Sequence, residues 1–162
     1  MYSLRCTQRL LRHLPFVASA STPRTSTRLG DWYANALFVG SARLVLCTSE
    51  LSLLSVIVPL KDAQRLPLRL RAAVGSLLVR LGIHEAAVTT ELRAMDDIVV
   101  ARTASPRVLG SMTEIAWHCR DMAADSGRLD LRAWETYLAD MPMLSQDPCE
   151  PGIKAAALLG AT

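Results

Sequence analysis

The sequence predicts an α+β fold: a small mixed, largely antiparallel sheet of about four to five strands with helices packed on it. Three observations carry that expectation. Short alternating or β-branched runs occupy much of the first sixty residues, helical periodicity dominates afterwards, and turn chemistry sits at the joins. The element order reads βα-βββ-αα-β-αα.

Tyr2-Ser3-Leu4-Arg5-Cys6 alternates with period two, the pattern of a half-buried strand. Thr7 follows as the cap of a short helix carrying Leu10, Leu11 and Leu14, which Pro15 closes. Ala18–Thr27 is Ser, Thr and Ala with one proline and one arginine, a loop expected to be the most mobile internal segment. Two apolar runs, Ala36–Val39 and Arg43–Thr48, flank a Gly40-Ser41-Ala42 break and read as a hairpin. A third run, Leu53–Leu60, supplies the next strand, and the three form an antiparallel meander with one face on the core.

Leu66, Leu70, Ala73, Val74, Leu77, Leu78 and Leu81 recur at helical spacing, with Gly82 placed to end the helix. A shorter helix follows through Ile83, Ala87, Val88, Leu92 and Met95. Ile98–Ala101 is brief and β-branched, a strand between helices. Ser105 and Pro106 are an N-cap and first-turn pair for a helix burying Val108, Leu109, Met112, Ile115, Ala116 and Cys119, and Gly127 lies past its end. Asp130 caps a last helix presenting Leu131, Trp134 and Leu138. Residues 1–141 thus form a single domain. Residues 142–162 read as a C-terminal tail, partly disordered, with little periodicity before Lys154–Leu159.

Composition narrows the function classes. A chain of 162 residues with 51% hydrophobic and 20% charged residues is globular rather than disordered. Its longest apolar stretches fall short of the roughly 18–20 residues a bilayer requires, so no membrane span is expected. The four cysteines lie far apart with no C-x-x-C pair, and the three histidines are equally scattered. Buried free thiols are the reading, with no metal site and no cofactor. Residues 1–30 hold five arginines and no acid, while residues 31–162 hold thirteen basic and fifteen acidic residues. Such a start resembles an organellar transit peptide in composition. Five arginines over that length are sparser than a nucleic-acid arm, which leaves nucleic-acid binding the weakest reading.

Four places concentrate polar or aromatic groups. At the first strand-to-helix junction, Arg5 and Thr7 with helix amides offer an anion site, although capping by Thr7 explains the same residues. Trp32, Tyr33 and Asn35, following Asp31, offer a pocket floor or partner contact, with core anchoring as the alternative. Glu50, after Thr48 and Ser49, is placed as a general base or ligand contact at a strand end, or as turn chemistry. Gly110 and Ser111 lie near a helix start. Glycine there costs about 1 kcal/mol relative to alanine, so either close backbone packing or an approaching ligand gains from the missing side chain.

The same places carry a resemblance. Leu4-Arg5-Cys6-Thr7-Gln8-Arg9-Leu10-Leu11, Leu29-Gly30-Asp31-Trp32-Tyr33-Ala34-Asn35-Ala36-Leu37-Phe38-Val39-Gly40, Ser49-Glu50 and Val108-Leu109-Gly110-Ser111-Met112 resemble, in order, the signature blocks of an uncharacterised bacterial family, a domain of unknown function. The resemblance implies a bacterial, cytoplasmic protein whose first residues belong to the domain rather than to a transit peptide. It implies no activity. The family's last block reads Asn-Arg-Ser-Val-Leu-Gly-Ser-Met-Asn-Asp, and here Ser105-Pro106-Arg107 and Thr113-Glu114 replace its flanks.

Two functions follow as expectations. The first is a non-enzymatic binding or regulatory domain that contacts a protein partner, a second copy of itself or a small anionic ligand. The alternative is an enzyme of unfamiliar type, a hydrolase, using Glu50 with Arg5 or Ser111. Convergence of Arg5, Asn35, Glu50 and Ser111 on one cleft would favour a ligand site or enzyme.

Overall fold

Five strands form one mixed sheet in the order β4-β3-β2-β1-β5. The structure is a computed structural model and describes residues 1–160. In chain order the strands are β1 (Tyr2–Cys6), β2 (Trp32–Val39), β3 (Ala42–Ser49), β4 (Ser55–Pro59) and β5 (Ile98–Arg102). The helices are α1 (Gln8–Leu11), α2 (Leu66–Arg80), α3 (Glu85–Ala94), α4 (Pro106–Ser126), α5 (Leu131–Asp140) and α6 (Pro151–Leu159). The antiparallel meander β2-β3-β4 carries more of the pairing than the parallel ladders of β1 with β2 and β5. The fold is α+β, in the expected element order with α6 added.

Local chemistry explains the joins. Val39 pairs with Ala42, so Gly40 and Ser41 make a two-residue hairpin, and Gly40 supplies the positive φ of 56° that a primed turn needs. Ser105 Oγ accepts from Val108 N, Pro106 occupies the first turn of α4, and Gly127 ends that helix in the left-handed region. Between β3 and β4, Leu53 takes a left-handed φ of 58°. Serines hold this turn: Ser49 Oγ donates to Leu29 O, Leu54 N donates to Ser52 Oγ, and Ser55 Oγ donates to Leu53 O.

Both faces of the sheet are covered, which corrects the expectation of one. On one face Leu4, Cys6, Trp32, Ala34, Val45 and Val56 pack with Leu10 of α1 and the apolar sides of α2 and α3. On the other, Tyr33, Leu37, Leu44, Leu46 and Ile57 pack under Val108, Met112 and Ile115 of α4 and Trp134 and Leu138 of α5. Two-sided burial is why β2 and β3 read as nearly continuous apolar runs rather than as alternation. The same geometry corrects β1. It lies between β2 and β5, and its polar Ser3 is as buried as Tyr2 and Leu4, so its alternation does not mark a half-buried strand.

The sheet edges are partly satisfied by side chains and loop. On β4, Ile57 N donates to Glu135 Oε1 of α5 at 3.0 Å, and Arg80 of α2 holds the other carboxylate oxygen at 2.6 Å. On β5, Ser19 N donates to Val100 O, an isolated parallel bridge that sets Ser19 against that edge. Side-chain and loop cover of this kind blocks strand addition by another chain.

The segment read as a tail carries α6. Met143, Pro151, Ala155 and Leu159 are buried, and Gly152 lies so close to α5 that an added Cβ would sit 3.1 Å from Ala139 O. Residues 161–162 of that segment lie outside the described residues. Among the described residues, no helix is long and apolar enough to cross a membrane.

Candidate functional site

Asp31 stands just before β2 and joins three strands. The parallel register sets Leu4 beside Trp32, which brings Ser3 and Arg5 of β1 to the same face as Asp31. Ser3 N donates to Asp31 Oδ1 at 2.9 Å, and Arg5 Nε donates to Asp31 Oδ2 at 2.8 Å. Asp31 O accepts from Glu50 N at 2.8 Å, and Asp31 N reaches Glu50 Oε2 at 3.4 Å. Arg107, in the first turn of α4, donates to Glu50 O at 2.6 Å. A carboxylate this buried requires such satisfaction, because unpaired burial of the charge is costly.

Tyr33 lies one strand over from Arg5 in register, and the guanidinium carbon sits 6.0 Å from its ring centroid. Burial raises the Tyr33 hydroxyl's pKa, the negative Glu50 raises it further, and Arg5 and a backbone hydrogen bond at Ser105 oppose them. The net direction is upward, which favours the neutral phenol. Arg5, Asp31, Tyr33, Glu50 and Arg107 thus form one polar cluster where β1, β2 and β3 meet the start of α4.

A hollow of about 490 Å³ opens beside this cluster. Arg5 lies in its wall with Arg102, Ser19, Thr22 and Thr103, alanines complete it, and no carboxylate lines it. Arg5 Nη1 makes a 3.4 Å bond to Arg102 O. Asp31 grips the guanidinium from behind through Nε, so the group's position is set by the protein before any ligand arrives. The hollow therefore presents a pre-oriented cation and hydroxyls, a chemistry suited to an anion.

The other sequence-derived candidates are distributed differently. Thr7 caps α1 by accepting from Leu10 N and donates its hydroxyl to Asn35 Oδ1 at 2.7 Å, which commits both side chains to structure. Trp32 is fully buried on the opposite face from Tyr33 and belongs to the core. Ser111 is buried, with its hydroxyl 3.3 Å from Ser145 Oγ, and it does not line the Arg5 hollow. Gly110 is exposed, and a Cβ added there would meet nothing within 4 Å, so close packing does not account for this glycine. Arg5, Tyr33 and Glu50 converge; Asn35 and Ser111 do not join them in one cleft.

Sequence reasoning missed Arg102, Arg107, Ser19 and Thr22 as parts of the site. Asp31 was visible as an acid opening an apolar strand, but its partner was not. The thiols take no part: burial pushes Cys6 and Cys119 up to about 12 and Cys47 well above its ordinary value, leaving these groups protonated. Among the described residues, no three His, Cys, Asp or Glu side chains gather to hold a metal ion.

Residues 3–152 match the family model described as a domain of unknown function, DUF6933, and the chain belongs to that family. No curated protein and no solved structure matches the chain.

Proposed function

We propose that this member of the family is a non-enzymatic binding domain of the bacterial cytoplasm whose ligand is a small anion, a carboxylate or phosphate, seated against Arg5. One observation carries the reading: the Arg5 guanidinium, fixed by buried Asp31, is presented into a hollow whose other polar groups are Arg102 and three hydroxyl residues. Pre-orientation lowers the entropy that binding would otherwise cost. Occupation would be sensed through Asp31 and Glu50 at the start of α4, a route by which such a domain would act as a regulator of a protein partner. The free cysteines fit a reducing compartment. The hydrolase reading has Glu50 close to Arg5 through Asp31, but Ser111 is held elsewhere by Ser145 and gives it no support.

Thermal denaturation with millimolar phosphate, sulfate, acetate and citrate, followed by calorimetric titration of any that stabilise, tests the reading. A stabilising anion whose affinity falls about tenfold in Arg102→Ala, a loss near 1.4 kcal/mol, supports it. No stabilisation by any of the four, or stabilisation unchanged in both Arg102→Ala and Arg5→Lys, overturns it.

A further inference from the structure

At the far end of the meander from Asp31, three hollows adjoin around the Gly40-Ser41 turn. They measure about 520, 550 and 730 Å³. The first and second share Ser41, and the second and third share His13, Asp62 and Ala63, so they form one continuous track. Along it stand Arg120 and Arg128, then Arg43 and Lys61, then Arg12 and Arg65. All six are exposed, and none is in an ion pair among the described residues. The single carboxylate in the lining, Asp62, is engaged by Arg69 at 3.2 Å.

Part of the track is held rigid. Arg9 and Arg43 both lie over the Phe38 ring, at 4.9 and 5.0 Å from its centroid, and Arg43 Nη2 is 3.2 Å from His13 Nδ1. Unopposed cations repel one another, so keeping six in line along one surface is unfavourable unless an external anion neutralises them. Five of the six are arginines, the side chain whose planar fork matches phosphate oxygens. A chain of hollows suits a polymer better than a compact ligand. Of the exposed large hydrophobic side chains among the described residues, Leu129 alone lines the track, at one end of it, whereas a membrane-surface site pairs its cations with several insertable apolar groups.

We infer that this track binds the phosphate backbone of single-stranded nucleic acid, without reading its sequence. Phe38, covered by two guanidiniums, is not a stacking platform, so electrostatics supplies the affinity. The surface is separate from the Arg5 hollow and does not depend on the anion-binding reading.

The test is fluorescence anisotropy of labelled single-stranded RNA of mixed sequence, titrated with the whole chain across a salt series. Neutralising four to six phosphates gives log K against log salt a slope of about −3 to −4. Arg12→Glu/Arg65→Glu and Arg120→Glu/Arg128→Glu each reverse one end of the track, and each is expected to weaken binding at least tenfold. Arg93→Glu, at an exposed position of α3 away from the track, is expected to leave it unchanged. Circular dichroism confirms that the doubly substituted chains remain folded, since all four positions are exposed. Absence of salt-sensitive binding, equal loss in Arg93→Glu, or loss from only one end of the track overturns the proposal. So does retention on vesicles containing a quarter phosphatidylserine when no RNA is bound.

Discussion

Arg5 and Asp31 are the pair whose separation would cost most. With 4% exposure, Asp31 retains only the Ser3 amide on its carboxylate once the guanidinium is gone. Arg5→Ala is therefore expected to destabilise the fold by about 3 kcal/mol, the cost of stranding a buried charge. In urea denaturation, Arg5→Ala/Asp31→Ala should lose less than the sum of the single variants. Additive losses would mean that the pair is not coupled. Two other buried carboxylates set a pH dependence. Burial raises Glu91 and Glu135 above their ordinary range; hydrogen bonds from Arg28 N and Leu29 N to Glu91, and from Ile57 N and Arg80 to Glu135, only partly offset it. A raised folded-state pKa means that the folded chain holds these protons more tightly. Their contribution is fully present below the unfolded value and is lost as pH rises through the folded one. The stability difference between wild type and Glu135→Gln should therefore shift against wild type from pH 4.5 upward, measured by urea denaturation at several pH values.

At the scale of single elements, two glycines with opposite surroundings separate helix propensity from packing. Gly110 sits in α4 with open space around it, so Gly110→Ala should stabilise the chain by up to about 1 kcal/mol. Gly152 sits in α6 against Ala139 O, and Gly152→Ala should lower the melting temperature as the two helices are forced apart. If Gly110→Ala instead weakens ligand or nucleic-acid binding without changing stability, the exposed glycine is a contact point. Helix boundaries were legible because their signals are local: Ser105 with Pro106, Gly127, Asp130 and Gly82 each act within one turn of where they stand. Strand environment was not legible. Whether β1 is half-buried or fully buried depends on β5, which arrives ninety residues later beside it, and no periodicity within Tyr2–Cys6 records that.

Over the whole molecule, the candidate site was legible in part for the same reason. Arg5, Tyr33 and Glu50 were identifiable as polar or aromatic residues near the ends of apolar runs. Arg102 becomes a neighbour of Arg5 through the pairing of β1 with β5, and Ser19 and Thr22 do so where the loop bridges to the edge of β5 at Ser19. The basic track was hidden further, since its six cations come from positions between 12 and 128. The C-terminal segment shows how such long-range closure stabilises the chain. Gln146 Nε2 donates to Ser52 O across the turn between β3 and β4, and Arg28 donates to Leu159 O. Met143 and Leu159 are buried beside α5 and α3, and burying a side chain of that size contributes about 1.5–3 kcal/mol. Removing residues 142–162 should thus cost on the order of 5 kcal/mol, comparable with the whole stability of many domains of roughly 5–15 kcal/mol. Leu159→Ala alone should cost about 2–4 kcal/mol. The truncated chain is expected to melt at much lower temperature and to bind a hydrophobic dye, both readable in one thermal scan. A truncated chain that melts with the full-length one would mean that α6 rests on the domain without supporting it.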